Sequence, residues 1–467
     1  MLYNCPRVVI AGLKGGSGKT TLSIAVARLF KNRGLKVTCF KKGPDYIDPG
    51  WLAKASGAEC YNLDPFMIPS SKLIASFLHH SKGSDIVVIE GNRGLYDGVD
   101  IEGSWSTAEL AKLIKAPVVL VVDCTKVTRT VAALIKGLQE FDRDVAIKGV
   151  VLNNISGTRH ESVVRGAIER YTDCKVLGIM RRSVQTPILQ RHLGLTPYQE
   201  HPDVEETIEY IAEFVGETIN LDDVIEIAEL SEPLQIEELP SLFDINEELR
   251  ERSKGLRIGV IRDEAFQFYY PENLEIMREY EMEVIFIDAM RQDSLPSLDL
   301  LYIGGGFPET NALELSGNRA FMTALRREVE KGLPVYAECG GLMYLGRQIE
   351  YAEEVYPMTG VLPLDFRMET TPVAHGYTVV EVVEDSTYYR KGTILKGHEF
   401  HYSRVVNYDR NMRFCFQMRK GRGIKDGFDG LLMGKVFATY THLHCLSAPE
   451  WIEGLINTAL SDKKVDK

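Results

Sequence analysis

Two short segments hold residues whose types and spacing can do chemistry. The first, Gly12-Leu13-Lys14-Gly15-Gly16-Ser17-Gly18-Lys19-Thr20-Thr21, joins the apolar run Val8-Val9-Ile10-Ala11 to a stretch with Leu22, Val26, Leu29 and Phe30 at helical spacing. Strand, glycine-rich turn and helix start together form a phosphate cradle. Backbone N–H groups converge on the anion, a lysine neutralises the outer phosphates, and a hydroxyl ligates magnesium. Lys19 is the expected catalytic cation on the β- and γ-phosphates of ATP, and Thr20 the expected Mg2+ ligand. Gly12, Lys14, Gly15, Gly16, Ser17, Gly18 and Thr21 complete the expected nucleotide wall. The generic pattern has a glycine where Leu13 stands; here Gly12 comes one place early, which shifts the turn out of the strand.

Carboxylates follow the neighbouring runs. Glu90 ends Ile86-Val87-Val88-Ile89, and Asp45 and Asp48 lie in Gly43-Pro44-Asp45-Tyr46-Ile47-Asp48-Pro49 after Lys36-Val37-Thr38-Cys39-Phe40. Open α/β sheets bind ligands beyond the carboxyl ends of their strands. Thr20, Asp48 and Glu90 are therefore the expected Mg2+ ligands, alongside phosphate oxygens and water. Asp48 has a second reading as a cap on its own turn. Asn153 and Asn154 follow Gly149-Val150-Val151-Leu152, where a side-chain amide either reads the adenine edge or caps the next helix.

The second chemical segment lies in the other half. Val335-Tyr336-Ala337 leads into Glu338-Cys339-Gly340-Gly341-Leu342, an elbow with glycines where side chains would collide. Such a turn presents its nucleophile at a helix N-terminus, where backbone N–H groups favour thiolate, so Cys339 is the expected nucleophile on an amide carbonyl. Gly305 and Gly306, in the turn Ile303-Gly304-Gly305-Gly306-Phe307, join Gly340 as expected N–H donors to the oxyanion. Thr439-Tyr440-Thr441-His442-Leu443-His444 supplies two histidines on one side of an extended run. His442 is taken as the base that accepts the thiol proton and returns it to departing ammonia; His444 orients it or serves elsewhere.

Each segment needs a sheet to hold it. In the first half, short apolar runs alternate with helix-length spacers, which implies a doubly wound parallel α/β domain covered on both faces. A second α/β series starts at Leu256-Arg257-Ile258-Gly259-Val260-Ile261. Between them, residues 216–255 are rich in Asp and Glu and carry Pro233 and Pro240, a composition that opposes core packing. The expected organisation is a P-loop domain at 1–215, an acidic linker at 216–255 and a second α/β domain at 256–467.

The chain has 467 residues, 45% hydrophobic and 26% charged, and a net charge of −12. That balance disfavours nucleic acid as a partner, and no apolar run is long enough to span a membrane. The start Met1-Leu-Tyr-Asn-Cys-Pro-Arg7 has none of the features of a signal peptide, so a cytoplasmic location is expected. Eight cysteines without a C-x-x-C pair suggest neither zinc nor a disulfide framework. A homodimer is compatible with the chain.

The ordered set of motifs resembles the corrinoid glutamine amidotransferases, the family of the cobyrinate a,c-diamide synthases. It comprises the Gly12–Thr21 loop, Gly43–Pro49, Asn62-Leu63-Asp64, Glu90-Gly91 with Gly94-Leu95-Tyr96-Asp97-Gly98, Asn153-Asn154, Arg191-His192-Leu193-Gly194-Leu195, Ala337–Gly341, Gly397-His398-Glu399-Phe400-His401-Tyr402-Ser403 and Thr439–His442. The resemblance implies a dethiobiotin-synthetase-like P-loop domain followed by a class I glutaminase-like α/β domain. It also implies ATP-dependent activation of the a and c acetates of cobyrinate as acyl phosphates, amidated with ammonia from L-glutamine, in cobalamin biosynthesis. Cousins act on hydrogenobyrinate or nickel sirohydrochlorin through similar motifs. Related glutaminases place Glu two residues after the catalytic His, where this chain has His444, which leaves the third member of the triad open. A partitioning-type P-loop ATPase switch shares the Lys14 to Thr20 pattern but has no cysteine-elbow domain.

Overall fold

The apolar runs of the first half become one seven-stranded parallel sheet. Its spatial order is Cys60–Leu63, Val37–Lys42, Ile86–Glu90, Arg7–Gly12, Val118–Asp123, Ile147–Ile155 and Lys175–Arg181. Arg7–Gly12 sits at its centre, fully buried, and delivers the chain into the glycine-rich turn and the helix Lys19–Asn32. Leu22, Val26 and Phe30 on that helix are at most 1% exposed. Each such burial stabilises by about 1.5–3 kcal/mol, so this face anchors the helix start that carries Lys19 and Thr20.

The computed structural model describes residues 2–181, 190–191, 194–236, 238, 240–409 and 411–461. His192 and Leu193 of the Arg191 to Leu195 motif, and Glu237 of the acidic stretch, lie outside the described residues. The chain divides into two units, Met1–Leu242 and Phe243–Lys467.

That division corrects the expected linker at 216–255. Asn220 caps the helix Leu221–Glu229, accepting from the Asp222 and Asp223 N–H groups, and the helix buries Leu221, Val224, Ile227 and Ala228 in the core of the first unit. Its acids face outward, where Lys175 bridges Asp223 and Glu226 at 2.7 and 2.9 Å. Leu234–Gln235 then pairs antiparallel with Leu2–Tyr3. Past Leu242, Asn246 caps the helix Glu247–Ser253, and the Ser253 hydroxyl donates to the Tyr280 carbonyl at 2.8 Å within the second unit. The acidic composition marks a solvated helix face, with apolar residues at helical spacing beneath it.

The second unit is built on a ten-stranded sheet. Glu283–Ile287, Arg257–Ile261, Leu300–Ile303, Val335–Glu338 and Val436–Thr439 run parallel. The sheet continues antiparallel through Phe428–Met433, Arg413–Lys420, Ala374–Val382, Ile394–His401 and His442–Leu443. Val335–Glu338 lies beside Val436–Thr439 with Glu338 opposite Thr439, so the elbow and the run toward His442 start from the same ends of two neighbouring strands. No helix among the described residues is long and apolar enough to cross a membrane.

Candidate active sites

In the first unit, the loop from Gly12 to Lys19 folds around the Lys14 carbonyl. The Ser17 hydroxyl donates to it at 2.8 Å and the Lys19 ammonium at 3.2 Å, while Lys14 to Gly16 face solvent. A Cβ on Gly12 would meet the Ser17 side chain at 3.0 Å, so the early glycine lets the loop close on the strand. The Leu95 N–H donates to the Gly12 carbonyl at 2.8 Å, which makes the Gly94–Gly98 motif a buttress for the loop.

Behind this loop lies a buried charge cluster. The Thr20 hydroxyl donates to Glu90 Oε1 at 2.6 Å and approaches Asp48 Oδ2 at 3.4 Å. The ammonium of Lys41 sits 2.8 Å from Asp48 Oδ2 and 2.9 Å from Glu90 Oε1. Burial opposes the charge on Lys41, but Asp48 and Glu90 outweigh it and hold the ammonium protonated well above its ordinary range. Burial pushes Glu90 up to about 7 against the pull of Lys41, and burial with the Asp48 charge pushes Asp45 up to about 6. Lys19 is lowered by burial and by the nearby Lys41 cation. The turn-capping role belongs to Asp45, whose Oδ1 accepts from the Ile47 and Asp48 N–H groups, and Asp48 is left facing the cluster. Lys41 escaped the sequence reading; its signal is a lysine next to the last residue of a fully buried strand, a position that demands a partner.

The two asparagines shape the loop. The Asn153 amide donates to the Ser17 carbonyl at 2.8 Å, and Asn154, at φ 60°, donates to Asp123 at 3.0 Å. Asp123 also lies 3.5 Å from the Lys14 ammonium. The helix that follows is capped at Gly157, which removes the helix-capping reading for both.

In the second unit, Cys339 has φ 47° and ψ −97° at the junction of the strand and the short helix Gly340–Leu345. A non-glycine residue held there is strained, as a nucleophile elbow requires. Its N–H donates to the Thr439 carbonyl at 2.8 Å. The thiol is raised by burial, with the Glu309 and Glu338 charges adding to the shift and the Gly340 N–H opposing it. Burial outweighs the short helix and favours the protonated thiol, in keeping with the expected need for a base to take its proton. Gly305–Gly306 forms a two-residue strand against Phe266–Phe268, and the Gly304 N–H is taken by the Tyr269 hydroxyl at 2.8 Å.

A Cβ on Gly305 would stand 2.6 Å from His442 Cε1, so the bare glycine is what admits the imidazole. His442 Nδ1 lies 3.1 Å from Glu338 Oε2, and the His398 ring stacks on it at 4.9 Å. His444 faces away toward Glu272, at 3.4 Å, with its ring against Tyr270. Glu338 went unread in the sequence, although an acid closing a buried four-residue strand is as telling a signal as Lys41.

The comparisons agree with this division into two sites. Residues 8–193 match the family described as a CobQ/CobB/MinD/ParA nucleotide binding domain, and residues 257–450 match a CobB/CobQ-like glutamine amidotransferase domain. A protein of Magnetococcus marinus named cobyrinate a,c-diamide synthase is 39% identical over 97% of this chain and 96% of its own length. The chain belongs to the cobyrinate a,c-diamide synthase family. A relative of the same name from Archaeoglobus fulgidus is 40% identical over 98% of both chains, and one from Listeria monocytogenes is 36% identical over 94% of this chain and 96% of its own. The expected P-loop and glutaminase domains are thus both present. Family membership across both halves leaves the partitioning-type switch without support.

Proposed function

We propose that this chain amidates the a and c acetate carboxylates of cobyrinate, using ATP and ammonia released from L-glutamine. The observation that carries the reading is the pairing, in one member of this family, of a P-loop backed by Thr20, Asp48 and Glu90 with a Cys339 elbow beside His442.

Chemistry dictates the order of events. A carboxylate anion repels ammonia and has no usable leaving group, so one of its oxygens first attacks the γ-phosphorus of ATP and ADP departs. Lys19 stabilises charge gathering on the phosphates, and the loop's backbone N–H groups hold them in line. Glu90 Oε2 is buried without a hydrogen-bond partner and sits with Thr20 and Asp48, an all-oxygen set that fits Mg2+. These residues would hold the ion, which supplies neutralisation of the β- and γ-phosphates when bound. Lys41 keeps both carboxylates in place.

At the other site the Cys339 sulfur attacks the glutamine carboxamide as its proton passes to His442, and the tetrahedral oxyanion meets N–H groups of Gly305, Gly306 and Gly340. His442 returns the proton to departing ammonia, and water releases glutamate. Ammonia then displaces phosphate from the activated acetate. All eight thiols are free, as suits a cytoplasmic enzyme.

The test is an assay of the full chain with ATP and glutamine against cobyrinate, hydrogenobyrinate and nickel sirohydrochlorin, read by product mass. Cobyrinate is expected to gain two amides. Turnover of either other ring in its place would reassign the substrate.

A further inference from the structure

We propose that Glu338, the residue preceding the nucleophile, is the positioning carboxylate of the glutaminase, holding His442 by Nδ1 so that its other nitrogen serves the thiol. This assignment rests on the glutaminase reading above and adds the member of the triad that sequence spacing left open.

Four observations converge. Glu338 Oε2 lies 3.1 Å from His442 Nδ1, and the two side chains are 1% and 2% exposed. The carboxylate is fixed on its other sides: the Tyr302 hydroxyl donates to Oε2 at 3.2 Å, and the Leu443 N–H approaches Oε1 at 3.5 Å. Among the described residues, no lysine or arginine pairs with Glu338, and its one ion-pair partner is His442. A buried carboxylate in that setting is compensated best when the imidazole is protonated, the state in which His442 finds itself once it has taken the thiol proton. Finally, His444, which stands where spacing would put the third member, is fully buried against Glu272 at 3.4 Å and does not hold His442.

A face of the ring is covered by a second imidazole. His398 stacks on it at 20°, and burial, with the His442 charge adding to it, holds His398 well below the ordinary histidine range and therefore neutral. Among the groups facing His442 are Glu338, with Tyr302 behind it, and neutral His398.

In the reaction, the proton leaving Cys339 is accepted by His442 while the Nδ1 proton stays on the ring, hydrogen-bonded to Glu338. Sulfur forms its bond to the carboxamide carbon, and His442 gives the accepted proton to nitrogen as the C–N bond breaks. Glu338 gains and loses no proton in the cycle.

The test is glutamine hydrolysis by the full chain across pH 5–9 in Glu338→Gln and Glu338→Asp. Glu338→Gln keeps the shape and removes the charge. Its kcat is expected to fall at least about 100-fold with KM for glutamine within about threefold, and the acid limb of the profile to move to lower pH because the imidazolium has lost its counter-charge. Glu338→Asp should recover part of kcat and return the limb toward its original position. If Glu338→Gln does not fold, Glu338→Asp carries the test, with an intermediate loss and a shifted limb expected. An unchanged kcat and profile in the folded variants would overturn the assignment, as would a shift produced by His444→Gln and not by Glu338→Gln. Absence of glutamine hydrolysis by the unsubstituted chain would instead overturn the glutaminase reading itself.

Discussion

Gly305→Ala is the most exacting test of the second site, because its effect can be worked from one contact. The added methyl carbon would sit 2.6 Å from His442 Cε1 and 3.2 Å from Nε2, with Phe268 also at 3.2 Å. Carbon atoms rest at about 3.5–4.0 Å, so the imidazole must withdraw by about 1 Å. A displacement of that size cannot preserve both the 3.1 Å contact to Glu338 and the 4.9 Å stack on His398. Misplacing a reacting group by about 1 Å costs on the order of 100-fold in rate. Glutamate release by Gly305→Ala should therefore fall by about that factor, while amidation driven by added ammonium, whose chemistry belongs to the first unit, reports whether the chain is folded. Glutamate release within a few-fold of the unsubstituted chain would refute the claim that this glycine makes room for the base.

Lys19→Ala should abolish amidation with glutamine and with ammonium alike, since the ATP-dependent step precedes both; product formation from ammonium would remove Lys19 from the phosphate chemistry. Because burial and the Glu309 and Glu338 charges raise the Cys339 thiol, its thiolate fraction should grow about tenfold per pH unit, so iodoacetamide labelling of Cys339 should climb from pH 7 to 9 without levelling. A plateau below pH 9, followed by mass spectrometry of the labelled peptide, would show a lowered thiol instead. Arg7 is fully buried and donates to the carbonyls of Cys5, Ile114 and Glu232. Arg7→Met strands these acceptors at a cost of about 3 kcal/mol, so calorimetry should show the first unit melting about 6–12 °C lower; a shift under about 2 °C would contradict the role of this clamp.

The parts legible in the sequence were those in which a local pattern already contains the geometry. Gly12 to Thr21 and Glu338 to Gly341 each join a short apolar run to a helix start through glycines, and both fold as that grammar dictates. The acidic stretch misled because charge density was weighed above periodicity: Leu221, Val224, Ile227 and Ala228 keep helical spacing beneath the acids. Lys41 and Glu338 were missed for a shared reason. Each is an ionisable residue near the end of a buried strand, and at least one partner, Glu90 for Lys41 and His442 for Glu338, comes from a strand distant in sequence. Register sets the first of these pairings, Lys41 opposite Glu90, and the course of the chain beyond Thr439 sets the second; short-range spacing encodes neither. The antiparallel extension from Ala374 to Met433 was likewise unread, though Thr378-Val379-Val380-Glu381-Val382 carries the alternation of a half-buried strand.

The short ladder between Leu2–Tyr3 and Leu234–Gln235 closes the first unit on itself. Its first and last strands are neighbours, so a connection of only a few residues would turn the unit into a ring, and that ring could be reopened at an exposed loop remote from Gly12 to Thr20 without cutting the central sheet. The order in which its elements leave the ribosome is therefore separable from the architecture that cradles the nucleotide, and a permuted gene should still encode it.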